Sequence, residues 1–289
     1  MKTTIAGACL LLGLVSIAQA QPPAQAPAAP PVFTPAELKA AADSYVAAQK
    51  SGNVGGMAFA DKDVFRENMA DVAKEAGLWN KALPVALSRS FLDSVRCRTF
   101  TEIIVTEGDH QYVLGTRLYV DQRKITRVDS LVTDKGDWLF NANAYLKYSS
   151  AEDWSAPKPE QRVPAQALIN AANTYLDLFS DKFLKAPWGI PCARLEGGAY
   201  TNRDGNPNAT CEVGIPPGVL YIVNRDYVVD EELGVVNVYC RFGNSSTGMP
   251  DSHTFRVVNG KFTTVHRLSV QMNPDTPSPQ ADDNGAIVR

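Results

Sequence analysis

The residues best suited to chemistry in this chain lie in its last predicted hairpin, which carries two of the three histidines. Asn259-Gly260 separates two segments of alternating apolar residues, a pattern typical of a two-residue hairpin turn. The register set by that turn pairs His253 directly with His266, on the face that Phe255 shares. Directly opposed residues on antiparallel strands have Cβ atoms about 5 Å apart. Two imidazoles at that spacing can act as general acid and general base, so the sequence predicts His253 and His266 as a catalytic pair.

Two alternatives stay open for this pair. Either histidine could be a core residue bonded to a tyrosine or a carboxylate, and a β-bulge within the hairpin would change the register. The third histidine, His110, follows a Gly-Asp pair and is expected in a surface turn.

Five further residues, together with Phe255, are predicted to bind substrate beside the histidine pair. Two lie on the predicted helix "VPAQALINAANTYLDLF" and three share one face of the predicted strand "VLYIVNRDYVV". They are Tyr175, Asp177, Tyr221, Arg225 and Tyr227. The open alternatives are core packing for Tyr175, exposure to solvent for Asp177 and a structural ion pair for Arg225.

Motifs that would indicate other chemistry are not in the sequence. There is no G-x-S-x-G, H-E-x-x-H, P-loop or dinucleotide-binding glycine pattern, and the histidines lack close metal-ligand spacing. We therefore expect no metal, nucleotide or flavin cofactor. The net charge of −3 comes without a basic run, which argues against nucleic acid and anionic membranes as partners.

The N-terminus is typical of a secreted protein. Lys2, the segment "IAGACLLLGLVSIA" and Ala18-Gln19-Ala20 form a secretory signal with cleavage after Ala20, and its apolar segment is too short to span a membrane. Residues 21–33 follow as a Pro/Ala-rich spacer. Asn208 and Asn244 stand in sequons and are predicted to be glycosylated surface residues.

The mature chain keeps four cysteines once the signal is removed. An even number in an oxidising compartment predicts two disulfides, for which three connectivities exist. The short Gly/Asn/Pro-rich loop between Cys192 and Cys211 favours that pair, which leaves Cys97 and Cys240 to join distant segments.

The two halves of the chain resemble each other. "AADSYV" at 41–46 matches "AANTYL" at 171–176, and "YVDQRKITRVDSLV" at 119–132 matches "RVVNGKFTTVHRLSV" at 256–270, with offsets of 130 and 137. Each half starts with an amphipathic helix and ends in a hairpin, and the first half is predicted to hold a second helix over 61–79. This layout predicts an α+β fold with domain 1 at 34–148, a linker at 149–163, domain 2 at 164–272 and a disordered tail at 273–289.

The chain resembles the NTF2-like superfamily, including its SnoaL-like members. The resemblance rests on the helix pattern "AA-x-x-YL-x-x-F" and on the final hairpin "TFRVVNGKFTTVH". It implies two cone-shaped domains, each with helices packed on a curved antiparallel sheet. Known activities of the superfamily include those of dehydratases, isomerases, epoxide hydrolases and polyketide cyclases, and some members only bind. The resemblance also implies catalytic histidines on the inner wall of the sheet. Asp129 and Thr116 take the places of His266 and His253 in domain 1, which therefore lacks the pair.

The mature chain is also similar, over nearly its whole length, to fungal secreted proteins of unassigned function. The matching segments are "PWGIPCARLEGGAY" and "NRDYVVDEELG". In the first of them we expect a shaped turn after the helix, and a structural ion pair between Arg194 and Glu196 rather than a catalytic acid.

The sequence thus predicts a secreted, cofactor-independent enzyme that binds a small hydrophobic molecule of polyketide or terpenoid type. The expected reaction is an isomerisation, a dehydration or a cyclisation by acid-base chemistry. A non-catalytic secreted protein for ligand binding or host interaction is the alternative, because a fold does not choose among functions. A homodimer is compatible with either.

Overall fold

The computed structural model describes residues 33–273 and 275–288 of the chain. The predicted signal peptide and the spacer up to residue 32 lie outside these residues, so their roles stay predictions. None of the helices in the described ranges is long and apolar enough to cross a membrane.

Each half of the described chain contains a long helix and a six-stranded sheet. Domain 1 comprises α1 (Pro35–Ser51), β1 (Phe59–Glu67), β2 (Ala70–Asp71), β3 (Leu87–Asp93), β4 (Arg98–Val105), β5 (Tyr112–Asp121) and β6 (Lys124–Thr133). Helix α2 (Ala142–Ala151) follows and extends into the predicted linker. Domain 2 comprises α3 (Ala165–Asp177), β7 (Trp188–Glu196), β8 (Ala199–Tyr200), β9 (Ile222–Asp230), β10 (Val235–Phe242), β11 (Met249–Val258) and β12 (Lys261–Ser269). Strands β13 (Gln280–Ala281) and β14 (Ile287–Val288) complete the described chain.

The two sheets have the same topology. The strand order is β2-β1-β6-β5-β4-β3 in domain 1 and β8-β7-β12-β11-β10-β9 in domain 2. In each sheet the first long strand runs parallel to the last, and the other neighbours are antiparallel. Strand β11 begins and ends 137 residues after β5 does, which is the offset that the sequence repeat predicts. The internal duplication and the α+β fold class are therefore confirmed.

Helix α1 begins at a capping box and packs on the sheet of domain 1. Thr34 Oγ1 accepts a hydrogen bond from the backbone N–H of Glu37, and the Glu37 carboxylate accepts one from the backbone N–H of Thr34. Gly52 ends the helix in the left-handed conformation, at φ 66°. The interior of each domain is the space between its long helix and the inner face of its sheet, filled in domain 1 by residues such as Leu38 and Tyr45.

The predicted second helix of domain 1, over Asp61–Trp79, is wrong. The segment forms β1 and β2, which are joined by a turn in which Asn68 and Met69 have φ angles of 52° and 64°. Strand β1 pairs in parallel with β6, which places Phe65 beside Val128. Pairing with a distant strand outweighs helical spacing here, because strand formation depends on neighbours in the fold.

The tail that was predicted to be disordered is ordered over residues 275–288. Strand β13 pairs with β14, and buried Ala281 packs against Leu139. Asn141 Nδ2 donates a hydrogen bond to Ala281 O (3.0 Å), and Tyr148 OH donates one to Asn284 O (2.6 Å). These contacts with the segment after β6 order a stretch whose composition alone favours disorder.

One of the two predicted disulfides is present. Cys192 and Cys211 are bonded, which ties β7 to the loop before β9. The predicted bond between Cys97 and Cys240 is wrong, because both thiols are free. Cys97 packs against the core of domain 1, whereas Cys240 is fully buried in the core of domain 2, so the two cysteines belong to separate cores.

Of the two free thiols in the described chain, we expect one to react in the native protein and both to react after unfolding. Cys97 is half-buried, whereas Cys240 is fully buried, and burial raises the pKa of the Cys240 thiol well above its ordinary value. Because the thiolate is the reactive form, the native fold protects Cys240. Titration with a chromogenic disulfide reagent, with and without urea, checks this. An unfolded, unreduced chain without reactive thiols would instead show that Cys97 and Cys240 are bonded.

Candidate functional site

The final hairpin contains a β-bulge that separates the two histidines. Its turn at Asn259-Gly260 has the predicted positive φ angles. Beyond the first pairs the register shifts by one residue, so that His253 pairs with Arg267 and His266 with Thr254. The predicted direct pairing of the two histidines is wrong, since a shift of one residue sends the side chains to opposite faces of the sheet. The β5–β6 hairpin shifts at the equivalent place, so the bulge belongs to the repeated fold.

His253 belongs to a group of charged side chains inside domain 2, here called the interior cluster: Glu196, Asp251, His253 and Arg267. All four are less than 10% exposed. Asp251 Oδ1 lies 2.9 Å from His253 Nδ1, and Asp251 Oδ2 accepts hydrogen bonds from Arg267 Nε (2.9 Å) and Ser269 Oγ (2.8 Å). Burial opposes the ionisation of Asp251, but Arg267 and His253 hold its pKa at about 2. Asp251 is therefore a fixed anion beside the imidazole.

Glu196 joins the interior cluster from the end of β7. Arg267 Nη1 donates a hydrogen bond to Glu196 Oε1, and Arg194 Nε lies 3.3 Å from Glu196 Oε2. Trp138, in the loop after β6, also donates to Glu196 Oε1 (2.7 Å). Burial opposes ionisation, but the two arginines lower the pKa of Glu196. The predicted structural ion pair between Arg194 and Glu196 is confirmed.

The second ring nitrogen of His253 has no polar partner among the residues that the structure describes. Nε2 is buried and makes no hydrogen bond. The Tyr175 ring of α3 has its centroid 5.4 Å from the imidazole centroid and 4.9 Å from that of Phe255. Burial raises the pKa of the Tyr175 phenol, which stays protonated. An imidazole with a carboxylate at one nitrogen and an unoccupied second nitrogen has the arrangement of a general base.

Domain 1 builds the same interior with only one of these charges, because Glu67 takes the place of Glu196. In the shared topology, Leu114, Thr116 and Ser130 take the places of Asp251, His253 and Arg267. Tyr45 of α1 corresponds to Tyr175, and its hydroxyl lies 2.7 Å from Thr116 Oγ1, which lies 2.7 Å from Ser130 Oγ. A short chain of hydroxyl groups thus takes the place of the charges of His253 and Arg267, and Leu114 takes the place of Asp251.

Cys240, Asp251 and His253 place three ligand atoms within 4.8 Å of one another, as a metal site would. Their chemistry fits a cation poorly, because the Arg267 guanidinium already binds the same carboxylate. Nε2 of His253 also lacks the acceptor that usually fixes a metal-bound imidazole. The expectation that the protein uses no metal or other cofactor stays a prediction.

Three of the other predicted site residues lie together, and one lies apart. Arg225 donates hydrogen bonds to Asn173 Oδ1 (3.0 Å) and Asp177 Oδ1 (2.6 Å), and Tyr227 OH donates to the same Asn173 atom (2.7 Å). These bonds fasten α3 to β9. Tyr221 precedes β9 and is 64% exposed. A substrate-binding role for these residues stays a prediction.

Three residues predicted for the surface are exposed. His110 Nε2 lies 2.9 Å from Asp134 Oδ2, and both side chains reach solvent. Asn208 and Asn244 are exposed in loops, where a glycan has room. Their glycosylation stays a prediction.

His266 lies on the outer face of its sheet, between the two domains. Its Nδ1 is 3.0 Å from Glu102 Oε2 of domain 1, and its Nε2 is 2.6 Å from Glu152 Oε2. Burial opposes protonation, but Glu152 and Glu102 raise the pKa of His266 to about 9. The geometry therefore leaves one candidate base, His253, and makes His266 part of an ion pair that joins the domains.

Domain 2 is the part of the chain that a known family covers. Residues 161–269 match a family described as a domain of unknown function, DUF8021. No curated protein matches the chain. Among solved structures, the chain is similar to AclR of Streptomyces galilaeus, which is described as a candidate hydroxylase. The two are 18% identical, with a TM-score of 0.27, and the match covers 35% of this chain and 91% of AclR. It is also similar to an NTF-2 like protein of unknown function from Burkholderia xenovorans, with 10% identity and a TM-score of 0.28. That match covers 41% of this chain and 94% of the other.

Proposed function

We propose that domain 2 is the catalytic domain of a secreted, cofactor-independent enzyme. It moves a proton within a small hydrophobic molecule of polyketide or terpenoid type, in an isomerisation, a dehydration or a cyclisation. His253 is the general base, and Asp251 orients it. The observation that carries the proposal is the Nε2 of His253, which is buried and has no partner in the described part of the chain, in a ring whose other nitrogen lies beside an anion.

The energetic cost of the interior cluster supports a functional origin. Taking ionised groups out of water costs several kcal/mol each unless partners and hydrogen bonds compensate. Domain 1 folds in the same topology around Leu114, Thr116 and Ser130, so the fold does not require charges at the positions of Asp251, His253 and Arg267. The position of Glu196 is acidic in both domains, so no such conclusion holds for it. Buried charges that folding does not require are typical of functional sites.

Each residue of the interior cluster has a distinct part in the proposed reaction. Asp251, held by Arg267 and Ser269, places its negative charge 2.9 Å from Nδ1, which favours the imidazole proton on that nitrogen. The lone pair of Nε2 then removes a proton from a carbon next to a carbonyl group, and the electron pair of the broken C–H bond moves onto the carbonyl oxygen. Tyr175 donates a hydrogen bond to that oxygen, because its phenol stays protonated. In a β,γ-unsaturated ketone the electron pair then returns from the oxygen, which re-forms the C=O bond and shifts the C=C bond into conjugation. The γ-carbon takes the proton from the imidazolium, which restores neutral His253.

A non-catalytic ligand-binding protein is the second candidate. It is favoured by the closure of the interior, since the interior cluster is buried and Arg225 fastens α3 to β9. In this case an apolar ligand is held beside the aromatic side chains without turnover. The catalytic proposal requires α3 to move away from β9 when the substrate enters.

Deuterium uptake into a hydrophobic ketone distinguishes the two candidates. β-Tetralone, which has acidic carbon-bound protons, is incubated with the mature protein in deuterium oxide and followed by NMR. We expect exchange above the buffer rate and a loss of about 10²- to 10⁴-fold in His253→Phe. The matched control is His110→Phe, which replaces an exposed histidine. Exchange that survives His253→Phe would refute His253 as the base, whereas binding without exchange would support the second candidate.

A further inference from the structure

The two domains pack through the outer faces of their sheets, the faces turned away from α1 and α3. On one side of this contact α2 fills the space between the sheets. Its Tyr145 and Tyr148 pack among Ile104 of domain 1 and Leu195 and Leu268 of domain 2. That side is therefore closed by apolar contacts.

The duplication creates an equivalent space on the other side, and no helix of the described chain fills it. The equivalent of Ile104 is Arg241, by the pairing of β4 and β10 with their neighbours. The equivalent of Leu195 is Arg66, by the pairing of β1 and β7. Instead of a helix there is an open cavity of about 290 Å³, here called the seam pocket, which both domains line.

The charged side chains that line the seam pocket are three arginines and two carboxylates, which leaves one positive charge in excess: Arg66, Arg127, Arg241, Asp129 and Asp226. Arg241 has no acidic partner among the described residues, and its Nη1 donates to the backbone oxygen of Gly248 (2.9 Å). Arg66 pairs with Asp71 (2.6 Å), whose side chain is 76% exposed. Exposed pairs of this kind are weak and exchange readily for another anion.

A carboxylate oxygen of the seam pocket also lacks a partner. Asp129 is buried, with 6% of its surface exposed. Its Oδ2 accepts a hydrogen bond from Arg127 and lies 3.4 Å from Tyr119 OH, which has Asp226 Oδ2 as its nearer acceptor (2.7 Å). Its Oδ1 accepts no hydrogen bond from the described residues. Nε of Arg127 likewise has no acceptor within residues 33–273 and 275–288. A buried acceptor without a donor is unfavourable, so the pocket favours a ligand that supplies one.

We propose that the seam pocket binds a small polycarboxylate that also carries a hydroxyl group. Arg66 and Arg241, from opposite domains, bind its carboxylates through charge-assisted hydrogen bonds. The hydroxyl group donates to Asp129 Oδ1. A cavity of about 290 Å³ lies at the small end of ligand pockets, which suits such a molecule. The site lies on the opposite face of the sheets from the interior cluster and does not depend on the proposed function.

Calorimetric titration at low ionic strength tests the ligand class. Citrate has three carboxylates and a hydroxyl group, and tricarballylate has the same carboxylates without the hydroxyl group. We expect citrate to bind, tricarballylate to bind about tenfold more weakly, and inorganic phosphate to bind more weakly still. Absence of citrate binding, equal affinity for tricarballylate, or a preference for phosphate would overturn the proposal.

Two variants test the location of the site. Arg241→Ile and Arg66→Leu introduce the residues found on the α2 side, and each is expected to weaken citrate binding about ten- to hundredfold. The matched control is Arg203→Leu, which removes an exposed charge outside the pocket. Melting temperatures measured without citrate show whether each variant is folded. If one variant fails to fold, the other still tests the site. Citrate affinity that is unchanged in both, or equally lowered in the control, would overturn the proposal. Ketone exchange should persist in both, which separates failure of this site from failure of the proposed function.

Discussion

Replacing Asp251 with Leu is expected to lower the free energy of unfolding by about 3–5 kcal/mol. The substitution removes one of the two carboxylates that Arg267 binds, and it also removes the acceptor of Ser269. Arg267 is 6% exposed, so the free-energy cost of removing its charge from water remains in the variant. The favourable interaction with Asp251 that offsets part of this cost is lost. The midpoint of urea unfolding, at an unchanged slope, measures the effect.

The matched control for this prediction is Asp177→Leu. This carboxylate also pairs with an arginine, Arg225, but its side chain is 44% exposed. Exposed pairs contribute about 0.2–1 kcal/mol, so we expect a small loss. If Asp251→Leu costs no more than its control, the interior cluster is not a tightly coupled set of buried charges.

The second large effect is a fall in stability between pH 6.5 and 9. Burial opposes the protonation of His266, but Glu152 and Glu102 raise its pKa from 6.5 to about 9 in the folded protein. The folded state therefore binds this proton more tightly than the unfolded state does. The stabilisation is complete below pH 6.5 and is lost as the pH rises through 9, and it corresponds to about 3 kcal/mol.

Urea unfolding at successive pH values, compared with His266→Gln, measures this fall. Gln can still form hydrogen bonds but cannot take up the proton. Burial also raises the pKa values of the Cys97 and Cys240 thiols, which add a dependence at higher pH in both proteins. The difference between the two curves isolates His266. If the free energies of unfolding of the wild type and the variant stay a constant distance apart from pH 6.5 to 9, His266 is not protonated in a buried ion pair.

The repeated fold could be predicted because its signals are local. Thr34 and Glu37 form a capping box by direct hydrogen bonds, and Asn259-Gly260 adopts the φ angles that its residue types favour. Strand β1 could not be recognised in this way, since its partner β6 lies about sixty residues further along the chain. Its isolated buried Phe65 gives a weak strand pattern.

The candidate site could be predicted only in part because a bulge sets its register. No Gly or Pro marks the shift in β11 or β12, so counting outward from the turn placed His266 where Arg267 lies. Asp251 was missed although it shares a face with His253. Comparison of the two repeats would have found it, because Leu114 is the equivalent residue and an acidic residue in its place is unexpected.

The partners of His266 could not be predicted from any local pattern. Glu102 lies 164 residues away in the chain, and Glu152 lies 114 residues away in the predicted linker. Only the packing of the two sheets brings these side chains together. The same packing forms the seam pocket, whose arginines come from β1, β6 and β10.

The central claim is that the interior cluster serves chemistry rather than folding. The free energy of unfolding of the triple variant E196Q/D251L/R267M tests it most directly. Uncharged residues of similar size in place of a buried ion network are neutral or stabilising, so we predict a value within about 1 kcal/mol of the wild type or above it. A loss of about 3–5 kcal/mol, as large as that expected for Asp251→Leu alone, would contradict the claim and make the cluster part of the scaffold.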